Sequence, residues 1–181
     1  VGKIKAGEDI PTRPPSKRQW RVKSEFTATE LKERRQTRIN KASGQNVRTF
    51  VAGEWTLEYD LAHSGLTQEV WQAAVLALAD ENIQVGKVTK EDAIGAREAE
   101  FLALAALELE AKASHVYALF ETEGASKAIG AQYLSELLEH AVESGGMGVD
   151  ELRSKLPSYV LDAIAYVTAP IPVTAAPEEQ G

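Results

Sequence analysis

The sequence predicts an α/β part, incomplete in this chain, followed by a predominantly α-helical portion. Three observations carry that prediction. Residues 47–52 hold Val47, Phe50 and Val51 in a short run closed by Gly53, the clearest strand signal in the chain. Beyond Gly53, apolar residues recur at three- and four-residue spacing as far as Val167. Before it, Pro11, Pro14 and Pro15 exclude a helix from residues 1–16.

The elements follow in order. Residues 17–24 are read as a short strand or an extended basic segment. Thr27 or Thr29 caps a helix over 30–42, which lies on the surface because Leu31 and Ile39 are nearly its whole apolar content. After the strand at 47–52, a helix runs from Thr56 to about His63 and stops at Gly65. Thr67 caps the next, with Val70, Trp71, Ala74, Val75, Leu78 and Ala79 on its buried side. Residues 82–88 are a break. Thr89 then caps one long Ala-rich helix over 90–112, since alanine is the best helix former. Helices over 114–122 and 126–143 follow, separated by Gly124 and closed by Gly145, Gly146 and Gly148. Asp150 opens a short helix, Pro157 starts a last one over 157–167, and the tail from Ala169 is loose. A lone strand cannot satisfy its own backbone groups. It therefore pairs with a weaker strand such as 18–23 or with strands outside the chain, and a start at Val1 rather than Met suits a processed form or a C-terminal piece of something larger.

The chain has 181 residues, 44% hydrophobic and 26% charged, which suits a core inside a soluble surface. No apolar run reaches the roughly 18 residues of a membrane span, and no signal peptide is visible. Cysteine is absent, so thiolate chemistry is excluded and a cytoplasmic location fits. Net charge is −7 but is unevenly placed. Residues 1–48 carry 13 Lys/Arg against 5 Asp/Glu, and residues 49–181 carry 7 against 22. Phosphate contacts would therefore come from the first part, through Lys17, Arg18, Arg21, Lys23, Arg34, Arg35 and Arg38. The plainer alternative is a solvated basic helix that pairs with the acidic remainder.

Two clusters carry chemistry. Glu54, Glu58 and Asp60 stand where a strand gives way to a helix, and carboxylates there bind Mg²⁺ through one or two oxygens plus waters. Acids are also favoured in any first helical turn. Lys127 opens a helix, the end that disfavours a cation, so something offsets the cost. An ammonium suits a phosphate or a developing oxyanion. It would otherwise be a solvated lysine on a polar face. Trp20 among Lys17, Arg18, Arg21 and Lys23 is either a nucleic-acid patch or a tryptophan packed under basic neighbours. His63, His115 and His140 are scattered without ligand spacing, and no Walker A loop occurs.

Three stretches, Thr56-Leu57-Glu58-Tyr59-Asp60-Leu61-Ala62 with its preceding strand, Lys127 opening a helix with Ala131 and Leu134, and Pro157-Ser158-Tyr159 with Ala163-Ile164-Ala165-Tyr166-Val167, resemble the Toprim nuclease region of the overcoming-lysogenization-defect (OLD) family of ATP-dependent endonucleases. They span residues 46–66 and 124–168 in the family's order. The resemblance implies a Toprim-like part with a basic segment at 1–66, a helical insertion at 67–123, closing helices at 124–168 and a flexible tail at 169–181. It implies DNA as partner, phosphodiester cleavage with two divalent ions (Mg²⁺ or Mn²⁺), Glu58 and Asp60 at the metals and Lys127 as a catalytic residue. ATP would bind only an ATPase domain of the same parent, outside this chain; a homo-oligomer is left open and no membrane is involved. Tyr159, Ile164 and Val167 would pack the last helix down. The family's upstream Glu and Asp-x-Asp motifs are absent, and Glu8-Asp9 is a poor substitute, so Glu58 and Lys127 would meet at one phosphodiester while the missing acids come from elsewhere. A rival reading is a non-catalytic helical interaction module that uses 90–112 as its assembly surface. A transcription regulator built on the helix at 30–42 is weaker, because that helix lacks an apolar face.

Overall fold

The structure is a computed structural model that describes residues 23–42 and 48–169. Lys17, Arg18 and Arg21 lie outside the described residues, as do Trp20, Val47 and the tail beyond Ala169. Within them the α/β expectation is overturned: every regular element is helical, and there is no strand or sheet. Residues 48–52 run without regular structure. The physical reason is the one that made a lone strand untenable, since no second strand among the described residues lies alongside to pair its amides and carbonyls.

Lys23–Glu25 forms a 3₁₀ turn that leads into α1 (Ala28–Ala42). Thr27, not Thr29, caps α1 through a capping box: Glu30 N–H donates to Thr27 Oγ1 at 3.2 Å and Thr27 N–H donates to Glu30 Oε2 at 2.7 Å. The helix buries no residue, as its few apolar positions predict. Thr56 caps α2 (Leu57–Leu61) by accepting from Tyr59 N–H. Gly65 does not end the helical path. At φ +125°, a value few side chains tolerate, it sits inside a wide π turn (Ala62–Leu66) that feeds directly into α3 (Thr67–Gln84). Thr67 consequently donates back to Ala62 C=O at 2.7 Å and is not a cap.

Helix α3 is the central rod. Val70, Trp71, Ala74 and Val75 are buried as expected, and Ala73, Leu76 and Ala77 are buried as well, so α3 is enclosed on several sides. The helices α6 (Leu109–Glu121) and α7 (Lys127–Glu143) pack against it, with α2 and the π turn at one end. Full burial of side chains such as Leu66, Val70 and Leu76 stabilises by about 1.5–3 kcal/mol each. Close approach of α7 depends on Gly130, where a Cβ would stand 2.8 Å from the Phe120 ring. The helix expected over 90–112 is broken into α4 (Lys90–Gly95), α5 (Glu98–Leu104) and the start of α6. Helix propensity gives way here to tertiary contacts. The breaks let Phe101 reach Trp71 at 5.0 Å, and let Arg97 bridge Glu100 and Glu123. Then α8 (Val149–Lys155) and α9 (Ser158–Thr168) close the described chain. Pro157 does start α9, but Ile164 and Val167 do not pack it down; Val167 is 75% exposed.

A part-buried polar bond ties α3 to α7: the Tyr133 hydroxyl donates to Asp80 Oδ1 at 2.7 Å. Burial first, and then the Asp80 carboxylate, push the Tyr133 phenol up to about 12 from the ordinary 10. The folded state therefore holds this proton more tightly than the unfolded chain. Its contribution to stability is complete below pH 10 and is lost as pH rises from 10 through about 12. Tyr133→Phe is expected to cost about 1–2 kcal/mol at neutral pH. Urea denaturation across pH 8–12 should also show a shallower alkaline loss in the variant than in the wild type.

Candidate functional site

Lys127 is the first residue of α7 and Glu121 the last of α6, so each sits at the helix end that disfavours its charge. They meet across the turn at Gly124, whose φ of +86° reverses the chain: Lys127 Nζ lies 3.3 Å from Glu121 Oε1. Glu58, in the first turn of α2, reaches the same ammonium at 3.2 Å. The two residues expected to meet do meet, although 69 positions separate them. The lysine side chain is 43% exposed while Glu58 and Glu121 are 19% and 17% exposed, so the ammonium is the outermost member of the cluster.

The floor of the cluster is aromatic. Tyr117, one turn before Glu121 on α6, is wholly buried with its ring 5.2 Å beneath Lys127 Nζ. Its hydroxyl stands beside Glu121 without reaching hydrogen-bonding geometry, and the Tyr159 hydroxyl is likewise buried without a partner among the described residues. Burial raises the pKa of both phenols. Glu121 and Glu58 add to the effect at Tyr117, and Asp60 and Glu58 at Tyr159, so both hydroxyls keep their protons. Glu121 and Tyr117 were not singled out from sequence. The available signal was an acid at a helix C-terminus six residues before a lysine at a helix N-terminus.

Asp60 has a different part. It is buried, and its carboxylate accepts from three successive backbone amides: Gly53 at 2.6 Å, Glu54 at 3.1 Å and Trp55 at 2.9 Å. Burial pushes its carboxyl above the ordinary value and the three amides pull it back. The acid that looked like a metal ligand therefore holds the 53–55 bend against α2. Glu54 points elsewhere, to Lys23 at 3.4 Å.

The expected DNA contacts divide in the same way. Lys23 does not face outward: its side chain is 14% exposed, and its Nζ donates to Glu110 at 3.0 Å, Tyr59 Oη at 3.2 Å and Glu54. Burial lowers its pKa, but the hydrogen bonds to Glu110 and Tyr59 outweigh that and leave it above the ordinary lysine value. Lys23 is a brace between α2 and α6. Arg34, Arg35 and Arg38 are exposed on α1, with Arg34 stacked 4.7 Å above Phe26. Lys17, Arg18 and Arg21 are not among the described residues.

A two-ion centre does not fit what is present. Among the described residues no three His, Asp or Glu side chains gather as ligands, Asp60 is engaged by backbone amides, and Glu58 and Glu121 are both ion-paired with Lys127. No helix of the described residues is long and apolar enough to cross a membrane. No protein-family model, curated protein or solved structure matches the chain.

Proposed function

We propose that the Glu58–Glu121–Lys127 cluster is one half of a phosphodiester-cleaving site of the OLD-nuclease kind, acting on DNA. The observation that supports this reading is the 3.2 Å approach of Lys127 to Glu58 at an open edge of the core. The two carboxylates hold the ammonium, over the Tyr117 ring, at one point. There its remaining N–H can donate to a phosphate oxygen as charge builds on it, while water adds to phosphorus and the ester oxygen departs. Divalent ions, Mg²⁺ or Mn²⁺, would take most of their ligands from outside the described residues, and ATP would be handled by a separate domain of the same parent. On this reading the protein works in the cytoplasm, beside DNA. The test is nicking of supercoiled plasmid by the full-length protein with and without Mg²⁺ or Mn²⁺. Divalent-dependent nicking that falls at least about 10-fold in Glu58→Gln, the order expected when a group that places a catalytic charge is lost, is the expected result. No nicking under any divalent condition would end the proposal.

A second reading, a helical interaction module, is favoured by one observation: Leu102, Val149, Ile164 and Val167 are exposed. It predicts concentration-dependent association in sedimentation and no nicking.

A further inference from the structure

A cleft of about 610 Å³ opens between α1 and residues 49–57. One wall is α1, which contributes Arg34, Arg35, Arg38 and Lys41. Positions 34, 38 and 41 recur at four and three residues and so share a helix face, with about 6 Å of rise between Arg34 and Arg38. Among the described residues, Arg35, Arg38 and Lys41 have no carboxylate partner. The one acid in the lining, Glu54, is already paired with Lys23. The cleft is thus strongly cationic although the chain as a whole is at −7.

The opposite wall is built for flat apolar groups and for hydrogen-bond acceptors. Phe50 and Trp55 line it, both half-buried. Each has a second ring beside it, Phe50 with Tyr166 at 5.9 Å and Trp55 with Phe26 at 5.7 Å, and the Arg48 guanidinium lies over Phe50 at 5.2 Å. Trp55 Nε1 is a buried donor with no acceptor among the described residues. Residues 49–52 make no backbone hydrogen bond to another described residue. Free amides invite acceptor oxygens, and rings beside arginines invite bases. Thr56 and Leu57, which also line the cleft, stand immediately before Glu58 in the chain.

We infer that this cleft binds single-stranded nucleic acid, with phosphates along the α1 cations and bases against Phe50 and Trp55, and that it leads the strand toward Lys127. The inference rests on the function proposed above and specifies the form of its substrate. A duplex presents its bases stacked inward and would touch only the outer face of α1. An acidic polypeptide would satisfy the cations but would leave the two rings without stacking partners.

The test uses the full-length protein carrying Lys127→Ala, in buffer without divalent ions so that no turnover occurs, and fluorescence anisotropy with three probes. These are an oligothymidine of about 12 nucleotides, within the span that single-strand grooves cover, the corresponding duplex, and polyglutamate. Tightest binding to the single strand is expected. Three or four phosphate contacts should give a log–log salt slope of about −2 to −3. The double reversal R35E/R38E should weaken single-strand binding at least 10-fold with an unchanged melting temperature, since α1 buries nothing. Phe50→Ala should remove most of the preference over duplex. Equal or tighter binding of duplex or polyglutamate, or indifference to the double reversal, would overturn the inference. Its failure is separable from failure of the proposed chemistry. Loss of binding with intact plasmid nicking sinks the cleft alone, whereas strong single-strand binding without divalent-dependent nicking sinks the cleavage site alone.

Discussion

Lys127→Ala is expected to lower plasmid nicking by about 10²–10³-fold, the scale seen when a preorganised charge at a reacting oxygen is removed. The structural cost should be small by comparison. The ion pairs that Lys127 makes with Glu58 and Glu121 involve a side chain that is 43% exposed, so solvent screens them and their loss costs about 1 kcal/mol or less. Two carboxylates are left facing one another, but both lie at an edge that water reaches. The variant should therefore melt within a few degrees of the wild type while its rate collapses. Lys127→Arg separates chemistry from architecture. Guanidinium keeps the charge and both carboxylate contacts but spreads the charge over a planar fork. Stability should be recovered fully and nicking only in part. If activity and melting temperature fall and recover together across Ala and Arg, Lys127 is a strut between α2, α6 and α7 and has no place in the reaction.

Asp60→Ala is expected to destabilise the fold by about 3 kcal/mol. One carboxylate accepts from three consecutive amides at 2.6 to 3.1 Å, and hydrogen bonds to an ionised acceptor are the stronger kind. Alanine would leave those donors without an acceptor and open space at the base of the bend. Trp55 would lose its anchor, and with it the ring contact to Phe26 that seats the start of α1. Asp60→Asn keeps one acceptor oxygen and should cost about half as much. Urea denaturation gives the energies, and hydrogen exchange should show the amides of 53–55 losing protection before the rest of the core. Equal protection in wild type and Asp60→Ala would mean that the bend is held by something else.

The helical body was legible because its signals are local. Thr56, Thr89 and Ser126 stand at helix N-caps and accept from the amide three residues on, and the buried face of α3 follows from its apolar spacing. The strand at 47–52 was misread because β-branched and aromatic content shows what suits a sheet, not whether a neighbour exists to pair with. The helix over 90–112 failed for a related reason: alanine content reports propensity, while Phe101 and Arg97 answer to partners far away in sequence. At the site, the misplaced charge of Lys127 was readable from the helix dipole, and Glu58 from the acidic cluster it forms with Glu54 and Asp60. The role of Asp60 was not, because ligation of a cation and acceptance from three amides call for the same side chain. Lys23 was misassigned for the same kind of reason, since a lysine count cannot distinguish an ammonium that faces solvent from one enclosed by Glu110 and Tyr59.

Gly130 brings α7 onto α3 and α6, and α7 carries the ammonium that Glu58 and Glu121 receive. During synthesis Glu58 emerges from the ribosome 69 residues before Lys127. A nascent chain that has not yet delivered α7 holds Glu58 without its ammonium, so the ion-pair cluster exists only once translation has passed that helix.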